Sequence, residues 1–276
     1  MEKTFSYQNK KIFYRSFGSG KPVMLVHGFG EDGDVWNNQV EFLKDKFFLI
    51  VPDLPGSGKS EMIDDMSMEG MAEVLHSIIH KELIDMSESS QIPPPGGFSG
   101  ACTVIGHSMG GYITLALVEK YWNHVTAFGL VHSTAFADSK ERKAIRKKGI
   151  EFIQQHGAFE FLKTIIPNLF SENSREQMRN DIDEFIKNQQ HFTAKALITY
   201  YESMMQRPDR ISVLEKTSMP VLFIAGEKDT VIPLDDSLKQ CHLPEICDFH
   251  ILKVAAHMGM MEEPEVFNRI LERFLQ

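Results

Sequence analysis

Thr103-Val104-Ile105-Gly106-His107-Ser108-Met109-Gly110-Gly111-Tyr112-Ile113-Thr114-Leu115-Ala116-Leu117-Val118 runs from a short buried strand, through a glycine-rich turn, into an apolar helix. Gly-x-Ser-x-Gly alone is a common pattern. A strand before it and a helix after it supply the context that a nucleophile elbow requires. A glycine is needed on each side of the serine because a Cβ there would clash with the strand or helix packed against the turn. Such a turn lifts Ser108 Oγ above a sheet, at the positive end of a helix.

Outward from this turn, the chain alternates strand and helix signals. Residues 11–17 alternate, with Ile12, Tyr14 and Ser16 on one face, and end at Gly18-Ser19-Gly20. Val23-Met24-Leu25-Val26 and residues 47–51 are continuous apolar runs, the mark of strands covered on both faces. Further strands are expected at 128–131, at 221–225 and at 249–254. Helical periods are expected from Asp34, with Trp36, Val40 and Leu43 turned inward, and at Met71, Leu75, Ile78 and Ile79. A last helix opens near Pro264 and carries Phe267, Ile270, Leu271 and Phe274 on one face. The Pro/Gly-rich residues 87–100 read as a loop. This alternation argues for an α/β fold, a mostly parallel central sheet with helices on both faces. Residues 133–214 break the pattern, showing only helical periods, with a capping box expected at Ser174-Arg175-Glu176-Gln177. They read as a helical cap inserted over the C-terminal edge of the sheet, where α/β folds bind ligands. The expected division is therefore a sheet core of 1–132 and 215–276, interrupted by a cap of 133–214.

A serine hydroxyl needs a base beside it, and at an elbow of this kind the chain order is serine, acid, histidine. His257, in Ala255-Ala256-His257-Met258-Gly259, follows the strand at 249–254. Three candidate acids between them stand beyond strands: Asp229 and Glu227, in Gly226-Glu227-Lys228-Asp229 after the strand at 221–225, and Asp138 beyond the strand at 128–131. His107 flanks the serine, but the turn should aim it away from Oγ. A tetrahedral oxyanion needs preorganised donors. Met109 N–H, next after Ser108, is one. Phe29 N–H, in His27-Gly28-Phe29-Gly30 at the end of its own strand, can be the other, because Gly28 and Gly30 let that backbone approach a carbonyl.

Taken together, His27-Gly28-Phe29-Gly30, Asp53-Leu54-Pro55-Gly56-Ser57-Gly58-Lys59-Ser60, residues 106–111, Gly226-Glu227-Lys228-Asp229 and His257 resemble the α/β-hydrolase superfamily, in its single-chain capped serine esterase and lipase-like branch. The resemblance spans essentially the whole chain in order. It implies the α/β-hydrolase fold, Ser108 as nucleophile, His257 as base, Asp229 as the acid that orients it, and Phe29 and Met109 as oxyanion donors. It also implies cleavage of a carboxylic ester through an acyl-enzyme, with no cofactor and no metal. C–C bond hydrolases, lyases, monoacylglycerol lipases and ligand-binding receptors that keep the triad share the scaffold. Serine at 108 sets the chain apart from the dehalogenase and epoxide hydrolase branches, which use aspartate there. Ala256 departs from the glycine common before the histidine, and residues 87–100 are longer than usual.

Composition narrows the partners. The 276 residues carry 29 Lys+Arg against 38 Asp+Glu, a net charge of −9 that disfavours nucleic acid. No apolar run is long enough for a membrane helix, and Met1-Glu2-Lys3-Thr4-Phe5 begins no signal peptide. Cys102, Cys241 and Cys247 are odd and sparse, as in the cytoplasm, and complete no zinc pattern. Gly58-Lys59-Ser60 ends like a phosphate-binding loop, but Asp53 stands where that loop needs glycine. The basic run Lys140, Arg142, Lys143, Arg146, Lys147 and Lys148 reads as a solvated helix face. The large apolar residues of 133–214 would mainly fill the cap's own core, with some facing the cleft. The expected partner is thus a small-molecule ester with an apolar portion.

Overall fold

A computed structural model describes residues 1–89 and 101–276. Eight strands form one sheet: β1 (Glu2–Tyr7), β2 (Lys10–Phe17), β3 (Pro22–Val26), β4 (Phe48–Pro52), β5 (Cys102–His107), β6 (Val125–Val131), β7 (Val221–Gly226) and β8 (Cys247–Leu252). Their order is β1-β2-β4-β3-β5-β6-β7-β8. The β1–β2 and β2–β4 pairs are antiparallel and the rest parallel. This is the α/β-hydrolase fold.

Helices α1 (Asn37–Leu43), α2 (Met68–Ser89) and α3 (Met109–Tyr121) link the first strands. Between β6 and β7 lie α4 (Lys140–His156), α5 (Ala158–Ile165), α6 (Glu172–Gln177), α7 (Arg179–Asn188), α8 (Ala194–Gln206) and α9 (Ile211–Lys216), with no strand. α10 (Leu234–Leu238), α11 (Gly259–Glu262) and α12 (Pro264–Leu275) complete the chain. No helix among the described residues is long and apolar enough to cross a membrane.

The strand order places the site. After β3 the chain moves one way to β4, then returns to lay β5 on the other side of β3. The loops after β3 and β5 therefore diverge and leave a crevice at the strands' C-terminal ends. Val23, Met24, Leu25 and Val26 are at most 1 % exposed, which is why β3 reads as an unbroken apolar run. Phe161, Leu162, Phe170, Leu197 and Tyr200, from the segment between β6 and β7, are buried in one continuous apolar core with the sheet residues, where a separate core of the inserted segment was expected. The boundary expected at 214/215 falls inside α9.

Several local expectations shift. β1 escaped the sequence reading because only Lys3, Phe5 and Tyr7 of it are half-buried. It turns into β2 through Gln8 and Asn9, both at positive φ, with no glycine to flag the turn. The helical segment expected from Asp34 opens as a 3₁₀ turn (Gly33–Trp36) capped by Asp32, whose side chain accepts from Asp34 N. The cap expected at Ser174 is Ser171, which accepts from Ser174 N. Residues 87–89 continue α2, while the rest of the loop expected at 87–100 lies outside the described residues. The last strand ends at Leu252, two residues before the expected limit.

The glycines around Ser108 bear out the steric argument. A Cβ on Gly106 would lie 2.4 Å from Gly110 O, and one on Gly110 would lie 2.5 Å from Val26 O. Both neighbours are backbone and cannot step aside. Gly110→Ala is expected to destabilise the protein by about 1–3 kcal/mol, read as a lower urea midpoint with an unchanged slope.

Candidate active site

Ser108, the residue between β5 and α3, has φ 50° and ψ −112°, a strained backbone for any residue with a Cβ. The strain is held by Ser108 N donating to Val131 O at 2.9 Å and by Ser133 Oγ donating to Ser108 O at 2.8 Å. Asp229 follows β7, and His257 lies beyond the end of β8. Because β5, β7 and β8 run parallel in one sheet, all three side chains reach the same edge.

The three form one hydrogen-bonded line. His257 Nε2 lies 2.9 Å from Ser108 Oγ, and His257 Nδ1 lies 2.8 Å from Asp229 Oδ2. Asp229 Oδ1 accepts from Val231 N and Ile232 N at 2.8 and 2.9 Å. Burial opposes ionisation of Asp229, but the His257 and His132 imidazoles outweigh it and hold the carboxyl far below its ordinary range. An ionised carboxylate only accepts, so His257 Nδ1 carries the proton and Nε2 turns a lone pair toward Ser108. That tautomer suits a base acting on the hydroxyl.

The other acids are elsewhere. Glu227 is exposed and pairs with Lys228. Asp138 is gripped by Arg146 at 2.6 Å and Arg207 at 2.7 Å.

Phe29 follows β3. The loop around it is set by His27, whose Nε2 accepts from Leu54 N at 2.9 Å, and by Glu31, which accepts from Gly28 N at 2.8 Å. The Phe29 ring stacks on Tyr201 of α8, with centroids 4.4 Å apart. Neither Phe29 N–H nor Met109 N–H donates to another group among the described residues. Ser108, His257 and Phe29 line a cavity of about 570 Å³, roofed by α4 and α8 residues including Ile145, Arg146 and Met204. This volume suits a small molecule.

Sequence reasoning missed two buried neighbours, Glu31 and His132, and the contacts of a third, His107. His107 lies off Ser108 Oγ, as expected, but its Nε2 is 2.9 Å from His257 O and its Nδ1 is 3.0 Å from Glu31 Oε2. Burial works against charge on both Glu31 and His107. Each nevertheless outweighs that for the other, lowering the carboxyl and raising the imidazole, so they form an ion pair. His132 Nδ1 lies 3.2 Å from Asp229 Oδ2. Its position just beyond β6 is the signal that picked out Asp229 and could have flagged it.

His132, Asp229 and His257 are the group of potential metal ligands found among the described residues, and their ligand atoms lie within 4.8 Å of one another. The Nδ1 atoms of both imidazoles are already engaged with the carboxylate.

Of the basic run, Arg142 pairs with Asp236 and Arg146 with Asp138, both beside the cavity, while Lys140, Lys147 and Lys148 are exposed. Asp53 accepts from Gly33 N and Lys59 N, and Lys59 Nζ pairs with Glu2, so the segment resembling a phosphate loop braces the β4 end of the sheet.

Known proteins align with the whole chain. A 2-hydroxy-6-oxononadienedioate/2-hydroxy-6-oxononatrienedioate hydrolase of Paraburkholderia phymatum is 26% identical, covering 96% of this chain and 91% of its own. A pimeloyl-[acyl-carrier protein] methyl ester esterase of Yersinia enterocolitica is 24% identical, covering 97% and 98%. Among solved structures, a thermophilic esterase from Thermogutta terrifontis superposes with a TM-score of 0.87 at 26% identity, covering 100% of this chain and 98% of that one. The family model Hydrolase_4, described as "Serine aminopeptidase, S33", matches residues 20–264. With that match and the eight-stranded sheet, the chain belongs to this family of α/β hydrolases.

Proposed function

We propose that the protein is a serine hydrolase that cleaves a carboxylic ester through Ser108, His257 and Asp229. The observation that carries this reading is the continuous line from Ser108 Oγ through His257 to Asp229 Oδ2, opening into the 570 Å³ cavity. In the proposed mechanism, Ser108 Oγ attacks the ester carbonyl as its proton passes to His257 Nε2. The resulting oxyanion accepts from Phe29 N–H and Met109 N–H. His257 then gives the proton to the departing alcohol, leaving an acyl-Ser108. Water repeats the sequence: its proton passes to His257, its oxygen attacks the acyl carbon, and Ser108 recovers the proton as the acid leaves. Every step is a proton or acyl transfer, so the reading calls on no cofactor and no metal.

Esterase names among the relatives favour an ester over the other scissile bonds cleaved on this scaffold. In this reading residues 133–214 act as the cap. Support comes from the roof of the cavity and from the Phe29–Tyr201 stack, which ties the oxyanion loop to α8. Apolar roof residues such as Ile145 and Met204 favour a substrate with an apolar portion. Cytoplasmic placement belongs to the same proposal, supported by the three free thiols.

Ser108→Ala is expected to keep the fold and lose roughly 10³-fold or more in kcat on an aryl ester. Labelling of the unmutated protein by a fluorophosphonate should map to Ser108. An unchanged rate in the alanine variant would sink the assignment.

Stability should report the Glu31–His107 pair. The lowered Glu31 carboxyl contributes above its unfolded value of about 4.3, and that contribution is lost as pH falls through the folded value. The raised His107 contributes fully below its unfolded value of about 6.5, and that is lost as pH rises through the folded value. The Tm deficit of Glu31→Gln is therefore expected to peak between about pH 4.3 and 6.5.

A further inference from the structure

The Asp229 carboxylate takes four donors, and one of its two side-chain donors has no part in the mechanism above. Oδ1 holds the amides of Val231 and Ile232, while Oδ2 is shared by His257 Nδ1 at 2.8 Å and His132 Nδ1 at 3.2 Å. His132 is fully buried and sits at φ 46°, in the left-handed region that a residue with a Cβ occupies only under constraint. Its Nε2 makes no hydrogen bond among the described residues. The far side of the ring is fitted to the backbone of the His257 loop, where a Cβ on Gly259 would come within 2.4 Å of Nε2. Room for this histidine is thus made by a glycine two residues beyond His257.

We propose that His132 is a positioning residue of the hydrolytic site, acting on His257 through the Asp229 oxygen that both imidazoles share. The inference rests on the ester-hydrolase reading above. Its framework is the end of β6, where two consecutive residues hold the two ends of the line. Ser133 Oγ fixes the backbone of Ser108, and His132 fixes the carboxylate. Burial keeps His132 in its neutral form, outweighing the pull of Asp229. With the carboxylate ionised, neutral His132 must donate through Nδ1–H. That donation pins Oδ2 and spends part of its negative charge. The pinned oxygen fixes where His257 Nδ1 points, and so keeps His257 Nε2 aimed at Ser108 Oγ. The other titratable groups around this pair are His107, whose ring centroid is 5.9 Å from that of His132, Glu31 behind it, and Glu262, which accepts from Ala256 N and Met258 N under the loop. None of these three is hydrogen-bonded to His132 or to Asp229.

The test measures kcat and KM on p-nitrophenyl acetate for the unmutated protein and for His132→Leu, His132→Asn and Ser108→Ala. His132→Leu is expected to lower kcat roughly tenfold with KM held within about twofold. His132→Asn is expected to recover most of the lost kcat. Its Nδ2–H takes the place of the histidine Nδ1–H, and asparagine tolerates the left-handed backbone. A leucine variant with unmutated kcat overturns the proposal, and so does an asparagine variant no better than leucine. A measurement independent of any variant is ¹⁵N NMR of histidine-labelled protein. It should find the His132 proton on Nδ1, and a proton on Nε2 instead overturns the proposal. Activity retained by Ser108→Ala would bring down the ester-hydrolase reading itself, which separates that failure from a failure confined to His132.

Discussion

The backbone of Ser108 is the constraint around which the sheet's C-terminal edge is arranged. Holding a residue with a Cβ at φ 50° costs on the order of 1–3 kcal/mol, and such a conformation persists only where its surroundings over-determine it. Here they do. β5 is held on both sides, by β3 from Thr103 to Gly106 and by β6 from Thr103 to His107. α3 cannot back away because Gly110 sits against the carbonyl of Val26. The end of β6 grips Ser108 at its amide through Val131 and at its carbonyl through Ser133. The same clamp leaves Met109 N–H, the first amide of α3, with no partner among the described residues.

Around that turn the protein holds two carboxylate–histidine systems in opposite electrical states. Glu31 and His107 neutralise each other as a buried ion pair, while Asp229 stays charged between imidazoles. The first system braces the second, because His107 meets the carbonyl of His257. A buried ion pair adds little net stability over an apolar packing of similar volume. Its use here is geometric, holding the backbone of one imidazole from behind while Asp229 holds its ring from the side.

The parts legible in the sequence are those with a local signature. Ser108, Asp229 and His257 each stand just past the end of a strand, and the parallel sheet carries that shared position into spatial proximity. β3, β5 and β7 were readable because burial on both faces makes their sequences uniformly apolar. β1 was not, since an edge strand that half-buries every second residue leaves almost no pattern in six residues. Nor was the choice among Asp229, Glu227 and Asp138, which turned on family resemblance until the Arg146 and Arg207 contacts of Asp138 could be seen. His132, His107 and Glu31 come together only through the registers of β3, β5, β6 and β7, a long-range arrangement that no window of sequence contains.

The hydrogen bond from His257 N to Leu169 O, at 2.8 Å, joins the histidine loop to the segment between α5 and α6. Nearby, Ser171 N donates to Glu262, the same side chain that holds Ala256 N and Met258 N. The helices inserted after β6 are therefore not an accessory resting on a finished sheet, since part of the scaffold of His257 is made from them. Transplanting a relative's insertion onto this sheet would change the acceptor of that amide along with the cavity's shape. The shape of the cavity and the placement of the histidine are thus bound to change together, and the two cannot be engineered as separate modules.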